Sequence, residues 1–422
     1  MPEYTQMWSE LGLDLKRHAE LLGILGEFYP AMYLSQPSRP EAMAYFDFVV
    51  SEIHGLRVQE LLSHKQRGGF VVGSFCLFVP EELVLAAGGI NVGLCAGTDF
   101  PAAAADAVLP RAICPLIKSA VGFKLGHLCP YVESCDLVVG ETTCDGKKKA
   151  WEVFGQHVPM YVMELPQKAS NRGQGLWLAE VVAFKEKLEA VSGRRITEES
   201  LADGIRRVNG KRRALRRLYG LRQGRALPVS GKDALLVSQI AFYDDVERFT
   251  AKVNELCDEL EARRDAGFSV ANGAKRILIT GSPMAIPNWK LHHIVETSGG
   301  TVVCEENCTG ARYFENPVDE SVHGLEAQLA ELAGRYVQIP CACFTPNTDR
   351  LDNVVAYARD YQADGVIDYT LAFCQCYSVE HELLRQRLQL EGIPLLHIES
   401  DYSMGDMGQL TTRVRAFLET LA

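Results

Sequence analysis

Two stretches of this chain, GSFCLFVPEELVLAAGGINVGLC at residues 73–95 and GSPMAIPNWKLHHIVETSGGTVVC at residues 281–304, can be laid over one another with a few small gaps. A Gly-Ser pair, a proline, a Gly-Gly pair and the final cysteine match in this overlay. We interpret the match as an internal duplication of a β-α-β-α unit with right-handed crossovers. The competing interpretation, that all α/β domains share such a texture, is the weaker of the two.

Four short apolar runs follow one another in each copy. In the first copy they are FVVGSF (70–75), INVGLC (90–95), LVVGE (137–141) and MYVMEL (160–165), and in the second RILITGS (276–282), TVVCEE (301–306), GVIDYTLAF (365–373) and PLLHIES (394–400). Runs of this length, separated by helix-like segments, are typical of buried parallel strands. The sequence therefore predicts an α/β fold of two similar doubly wound parallel-sheet domains plus a helical segment.

We expect three parts in the chain, because 422 residues exceed what one hydrophobic core usually supports. N-terminal helices and the first α/β domain occupy residues 1–166 in this prediction. A mainly helical segment follows at residues 167–272, and the second α/β domain covers residues 273–422.

The predicted middle part has helical periodicity. Thr197 is well placed as the N-cap of a helix, and the basic run at residues 206–225 predicts a solvated helix face rather than a docking site. A later apolar stripe lines one face of a long helix, with members Phe242, Val246, Phe249, Val253, Leu256 and Leu260.

The overall composition argues against nucleic acid or a membrane surface as the main partner. The chain has 47% hydrophobic and 23% charged residues, a net charge of −11 and a pI near 5.5, and a negative chain is repelled by anionic phosphates. Its first residues, MPEYTQMWSELG, do not have the basic and then apolar character of an export signal. We therefore expect a cytoplasmic protein.

The thirteen cysteines are unevenly distributed. Six fall between Cys76 and Cys144, six fall between Cys304 and Cys376, and Cys257 alone lies between the two sets. Because the cytosol keeps thiols reduced, a disulfide framework is not expected, and buried packing or metal binding remains. Cys257 lies on the apolar helix stripe, which favours a structural role.

Cys144 and Cys374 occupy matching places in the two copies. Each follows a predicted strand and precedes a predicted helix, at the carboxyl edge where α/β proteins form their sites. A helix N-terminus lowers the pKa of a thiol and favours the thiolate, the form that binds iron. Two such thiolates on facing domains can hold one inorganic centre between them.

The cysteine-bearing segments resemble the signature blocks of the 2-hydroxyacyl-CoA dehydratase superfamily of oxygen-sensitive iron–sulfur proteins. The blocks span nearly the whole chain outside the helical middle and are FCLFVPEELVLAAGG, LPRAICPLIKS, DLVVGETTCDGKKK, EENCTGARYFENP, IPCACFTPNTDRL, ADGVIDYTLAFCQCYSVEHELL and LHIESDYSMGDMGQLTTRVRAFLE. The extra cysteines make the chain most similar to the double-cubane cluster proteins, whose cofactor is two 4Fe-4S cubanes joined by a bridging sulfide. Dehydratase subunits hold a single cubane with three cysteines.

The resemblance implies a ligand set. Cys114, Cys144 and Cys374 match the cysteines that hold the single cubane of the dehydratase relatives. For a second cubane, the choice is Cys76, Cys308 and Cys343, with Cys129 and Cys341 as close rivals. The metal ligands expected from the sequence are therefore Cys76, Cys114, Cys129, Cys144, Cys308, Cys343 and Cys374.

The remaining cysteines are less suited to metal binding. Cys95, Cys135 and Cys304 lie within or beside apolar strands, where a small buried hydrophobe is the better explanation. For Cys376, a ligand role and a packing role are balanced.

Charged residues also neighbour the candidate ligands in sequence. Glu141 and the lysines 147–149 lie beside Cys144, and we expect the lysines to form a solvated first helical turn rather than an anion site. Glu380 is a candidate proton relay for a reductive reaction, or a cap of its own helix.

The resemblance implies an iron–sulfur reductase of small unsaturated or nitrogen-containing molecules, with catalytic residues and physiological substrate unknown. By the same resemblance, a separate ATP-hydrolysing iron–sulfur activator would deliver its electrons. This chain has no G-x-x-x-x-G-K-[ST] loop, so ATP is expected to act on that partner. The alternatives are a 2-hydroxyacyl-CoA dehydratase subunit, which is a lyase with one 4Fe-4S cluster, and a non-catalytic electron-transfer protein. By the same resemblance we expect a homodimer adapted to anaerobic conditions.

Overall fold

Two four-stranded parallel sheets with the same strand order organise the protein. The computed structural model describes residues 4–271 and 273–421. Its strands are β1 (Phe70–Ser74), β2 (Gly89–Gly93), β3 (Leu137–Glu141), β4 (Met160–Met163), β5 (Lys275–Gly281), β6 (Gly300–Glu306), β7 (Gly365–Leu371) and β8 (Leu395–Ser400). The first sheet has the order β2-β1-β3-β4 and the second β6-β5-β7-β8. This confirms the predicted fold class, including the duplication.

Helices connect and flank the strands. They are α1 (Thr5–Glu10), α2 (Leu15–Tyr29), α3 (Met43–Ser51), α4 (Leu56–Gln66), α5 (Glu81–Ala86), α6 (Ala102–Ala105), α7 (Pro115–Leu125), α8 (Pro130–Ser134), α9 (Asp145–Phe154), α10 (Asn171–Ser192), α11 (Glu198–Gly220), α12 (Gly231–Ile240), α13 (Val246–Asp265), α14 (Lys290–Thr297), α15 (Ala311–Phe314), α16 (Leu325–Val337), α17 (Thr348–Asp360), α18 (Gln375–Leu390) and α19 (Met407–Thr420). A π-helical turn, Pro30–Leu34, extends α2.

The strands lie where the apolar runs place them because both faces of each sheet are covered. All residues of β1, β3, β6 and β7 are buried, which is why these strands read as continuous apolar runs rather than alternating ones. In each sheet the first strand of the copy is central, with β1 between β2 and β3 and β5 between β6 and β7.

The helical segment between the sheets confirms two local predictions. The side chain of Thr197 accepts a hydrogen bond from the Ser200 N–H, and the Ser200 side chain accepts one from the Thr197 N–H, forming a capping box at the start of α11. The apolar stripe on α13 is buried from Val246 to Leu260, and Cys257 lies within it. Phe242 precedes this helix.

The prediction of a solvated basic face on α11 is wrong for its central residues. Lys211 Nζ lies 2.8 Å from both carboxylate oxygens of Glu81, and Arg212 Nη1 lies 2.7 Å from Glu82 Oε1. Both pairs are buried. Folding removes the hydration of two adjacent carboxylates at the start of α5. Cations from a helix distant in sequence compensate this loss by forming ion pairs with them.

The same segment is attached to the second sheet. Arg222, just beyond α11, contacts Glu305 of β6 with an Nη1–Oε2 distance of 2.9 Å, and both side chains are fully buried. Tyr219 donates a hydrogen bond to the same carboxylate at 2.6 Å. The helical segment is therefore joined by buried ion pairs to α5 of the first domain and to β6 of the second sheet.

A search for membrane-spanning helices and the predicted domain boundaries concern the chain as a whole. Among the residues with described positions, no helix is long and apolar enough to cross a membrane. The domain boundaries at residues 166 and 272 stay predictions, and residue 272, like the outer ends at 1 and 422, lies outside the described residues.

We predict that Gly204→Ala destabilises the protein, whereas Gly210→Ala on the same helix does not. A Cβ at residue 204 would lie 2.4 Å from the Glu82 carbonyl oxygen, so α11 and α5 would have to separate. The nearest atom to a Cβ at residue 210 is Thr250 Cγ2 at 3.9 Å. We expect a loss of about 1–3 kcal/mol for the first change and a gain of up to ~1 kcal/mol for the second, measured by urea unfolding. Equal effects would contradict this packing.

Candidate functional site

Cys144 and Cys374 stand at equivalent positions in the two sheets, each between the third strand of its copy and the following helix. Cys144 is the N-cap of α9, and its sulfur accepts a hydrogen bond from the Lys147 N–H at 3.4 Å. Cys374 is the N-cap of α18, and the Tyr377 N–H interacts with its thiol. Helix N-termini therefore face both sulfurs.

Cys114 joins these two cysteines. It precedes α7, whose first residue is Pro115. The Cys374 thiol interacts electrostatically with both Cys114 and Cys144, so the structure brings together the three cysteines that the resemblance groups. Burial raises the pKa of Cys374 well above its usual value and that of Cys114 to about 11. The expectation of a lowered pKa at a helix start is wrong for Cys374, because desolvation outweighs the backbone N–H group.

A second group of thiols contains Cys76 and Cys308, one from each sheet. Cys76 follows β1, Cys308 follows β6, and their side chains hydrogen-bond to each other. This bond raises the pKa of Cys76 well above its usual value and lowers that of Cys308, as expected where one thiol keeps the proton. The two copies are thus in direct contact through sulfur.

Cys341 and Cys343 complete the second group. Their side chains hydrogen-bond to each other, which lowers the pKa of Cys341 to about 6. Cys343 interacts electrostatically with Cys76 and with Cys376. Cys376 in turn interacts with Cys144 and Cys341, so it lies between the two groups.

Cys129 is placed apart from both groups. It is the N-cap of the short helix α8, and burial raises the pKa of its thiol to about 11. In the described part of the chain its thiol neighbour is Cys135, and it lines a separate apolar cavity. Of the two rivals for the second group, the structure therefore places Cys341, not Cys129, beside Cys343.

The overlay of Cys95 on Cys304 does not match the strand ends. Cys304 is fully buried inside β6. Cys95 lies two residues beyond β2, as Cys308 lies two residues beyond β6. Sequence reasoning assigned Cys95 to packing, but it lines a cavity of about 80 Å³ together with Cys76 and Cys308. The position of Cys95 two residues beyond the end of β2 is the signal from which its place at this cavity could have been predicted.

Lys147 is not part of a solvated turn, contrary to the prediction. Its side chain is buried, and Nζ lies 3.2 Å from Glu141 Oε2 at the end of β3. It lines the same cavity as Cys76 and Cys308, and the other carboxylate oxygen of Glu141 has no hydrogen-bond partner among the described residues. Lys148 is exposed, as expected, and Lys149 is also exposed.

Glu380 does not cap its helix. Its carboxylate accepts a hydrogen bond from Asn347 Nδ2 at 2.7 Å and forms an ion pair with Arg350, which is fully buried. Arg350 also contacts the carboxylate of Glu306. These contacts place Glu380 in a buried ion network of the second domain.

A further group of potential metal ligands, which was not predicted from the sequence, lies between the second sheet and α18. Asp368, His381 and His397 have ligand atoms within 4.8 Å of one another. The two imidazole rings are stacked, with centroids 3.8 Å apart and an interplanar angle of 17°. Nitrogen lone pairs lie in the ring plane, so those of the two stacked rings lie in nearly parallel planes, which is unfavourable for binding one ion. His381 Nδ1 instead lies 2.7 Å from Asp368 Oδ2, so the carboxylate orients this ring.

Known proteins match this chain over most of its length. The family model described as 2-hydroxyglutaryl-CoA dehydratase, D-component, matches residues 76–421. A putative dehydratase subunit, YjiM, of Escherichia coli is 40% identical over 367 residues, covering 85% of this chain and 93% of that protein.

Two more distant relatives carry more specific descriptions. The (R)-phenyllactyl-CoA dehydratase beta subunit of Clostridium sporogenes is 25% identical, covering 85% of this chain and 93% of its own. One of the subunits of benzoyl-CoA reductase from Thauera aromatica is 24% identical, covering 83% of this chain and 90% of its own. The relatives thus include both a dehydratase and a reductase.

We predict that Lys147→Met destabilises the protein by roughly 3–5 kcal/mol, because it leaves the Glu141 carboxylate buried without its cation. The matched control is Lys148→Met, which removes an exposed lysine one residue away and should change stability within experimental scatter. Urea unfolding of anaerobically purified protein measures both. Similar small effects would show that Lys147 is hydrated in solution.

Proposed function

This chain belongs to the family of 2-hydroxyglutaryl-CoA dehydratase D-components, and from that membership we propose that it is an iron–sulfur reductase of small molecules. Its relatives are subunits of dehydratases and of a reductase, which supports an enzymatic role. The observation that carries the proposal is the meeting of two thiol groups from both sheets in one buried region.

In the proposed centre, Cys114, Cys144 and Cys374 hold one cubane, and Cys76, Cys308 and Cys343 hold the other. Cys341 is the nearest alternative to Cys343, and Cys129 remains a more distant candidate from the sequence. The donors fit an iron–sulfur centre because they are free thiols, the ligands that such clusters use. When bound, a double cubane would supply low-potential electrons to a substrate.

The chain's own residues prepare this region for negative charge. The N-terminus of α9 directs the Lys147 N–H at the sulfur of Cys144, and the helix dipole favours negative charge at this end. The Lys147 ammonium interacts electrostatically with Cys76 and Cys144, and the Arg312 guanidinium with Cys308. Burial of these groups excludes water, which strengthens each charge interaction.

The proposal includes partners and a location. An ATP-hydrolysing iron–sulfur activator would deliver electrons, which is supported by relatives that are themselves subunits of larger enzymes. We expect a homodimer, because the related enzymes are assembled from subunits and this chain alone carries cysteines for both cubanes. We also expect a cytoplasmic location. We expect ATP to act on the activator.

The second candidate function is a 2-hydroxyacyl-CoA dehydratase subunit with one 4Fe-4S cluster. It is favoured by the names of the Escherichia coli and Clostridium sporogenes relatives. Under this function Cys76, Cys308, Cys341 and Cys343 would not bind iron. A fully ligated centre without an open iron position would instead indicate an electron-transfer protein.

We predict that anaerobically purified wild-type protein contains about eight irons per chain, with matching acid-labile sulfide. Cys144→Ser and Cys374→Ser should each lower the iron content by about half or more, because they remove ligands of one cubane. Cys257→Ser is the matched control and should keep the iron, since this buried thiol packs within α13.

The iron count separates the candidate functions. About four irons per chain would favour the dehydratase function. Zinc without iron would reject both. Full iron and unchanged visible absorption in the Cys144 and Cys374 variants would place the centre elsewhere.

A further inference from the structure

A cavity of about 590 Å³ lies between the N-terminal helices and the two sheets. Its outer wall comes from α2 and from the chain around Phe48 and Ile53. Its inner wall comes from the loop after β2 and from the second domain at Ile286 and Trp289. Small-molecule sites in proteins have volumes of roughly 300–1,000 Å³, so this cavity has the size of a ligand site.

The wall of this cavity is mainly apolar and aromatic, and several of its polar side chains are hydrogen-bonded within the protein. Tyr131 donates to the Ile53 carbonyl at 2.6 Å, and Tyr243 donates to the Cys95 carbonyl at 2.8 Å. The indole N–H of Trp289 donates to Gln239 Oε1 at 2.8 Å. A ligand in the cavity would therefore contact ring faces and aliphatic groups rather than free donors.

The cavity offers no cation to an anionic ligand. Within residues 4–271 and 273–421, no lysine or arginine lines it. Burial lowers the pKa of His54 to about 3, so this ring is neutral near pH 7. The acidic residues on the wall, Asp47 and Glu52, are paired with Arg39 and Tyr4. A carboxylate or phosphate placed here would lose its water without compensation.

We propose that this cavity binds an uncharged organic molecule of one or two aromatic rings or of similar aliphatic bulk. For scale, an apolar cavity of about 150 Å³ is enough to bind benzene. The occupant is recognised by shape and by contact with Trp8, Tyr29 and Trp289, whose rings line the cavity.

The cavity also adjoins the thiol region. Gly93, Cys95, Tyr243 and Ile286 line both this cavity and the smaller one that contains Cys76 and Cys308. A bound molecule is thus separated by these shared lining residues from the smaller cavity, which Cys76 and Cys308 line. The idea that the cavity supplies substrate to the centre rests on the proposed function. The binding of an uncharged molecule in the cavity does not.

The test compares 1-naphthol with 1-naphthoate by calorimetry on anaerobically purified holoprotein. The two probes share their rings and differ in charge. We expect 1-naphthol to bind and 1-naphthoate to bind at least about tenfold more weakly. Leu25→Trp fills the cavity from α2 and should weaken 1-naphthol binding by about tenfold or more. Ile24→Trp is the matched control, because Ile24 is exposed on the same helix and should leave binding unchanged.

The outcomes are distinct. No binding of 1-naphthol to the wild-type protein would overturn the proposal. A cavity that is filled by a second copy of the chain would give this same result. Equal binding of 1-naphthoate, or full binding by a folded Leu25→Trp variant, would overturn it as well. The two-probe comparison on wild-type protein does not depend on the folding of any variant. Iron content, measured on the same samples, reports separately on the proposed function.

Discussion

The buried pairing of the α11 segment with carboxylates of both α/β domains is the constraint on which the rest of the structure depends. Lys211 and Arg212 neutralise Glu81 and Glu82 at the start of α5, and Arg222 neutralises Glu305 on β6. Removing one partner of such a pair leaves a buried charge that neither a counterion nor water compensates. The two sheets are therefore held in one relative arrangement by a helix that belongs to neither of them.

This arrangement decides where the cysteines meet. Residues that follow β1 and β6, the ends of two different sheets, come close enough for the thiols of Cys76 and Cys308 to hydrogen-bond. The helix starts at Cys144 and Cys374 lie at equivalent places after β3 and β7. In a parallel sheet the carboxyl ends share one edge, so a duplicated domain whose copies face each other gathers thiols from both.

Much of this could be read from the sequence, because its determinants are local. Apolar runs locate the strands, Thr197 caps its helix, and the cysteines that follow strands mark the edge. The remainder depends on contacts between residues distant in sequence. The partners of Lys211 and Arg212 are about 130 residues away in sequence, and Lys147 is buried by tertiary contacts. The sequence around these residues therefore predicted solvated charges. The placement of Cys95 depended on where β2 ends, which a gapped overlay does not fix.

The central claim is that one inorganic centre lies between the two copies. Anomalous diffraction at the iron absorption edge from crystals grown without oxygen tests it most directly. We expect iron peaks enclosed by Cys114, Cys144, Cys374, Cys76, Cys308 and Cys343. Iron located at Cys129, at Cys257 or at the Asp368 group, or no iron peak in crystals of the anaerobically purified protein, would contradict this claim.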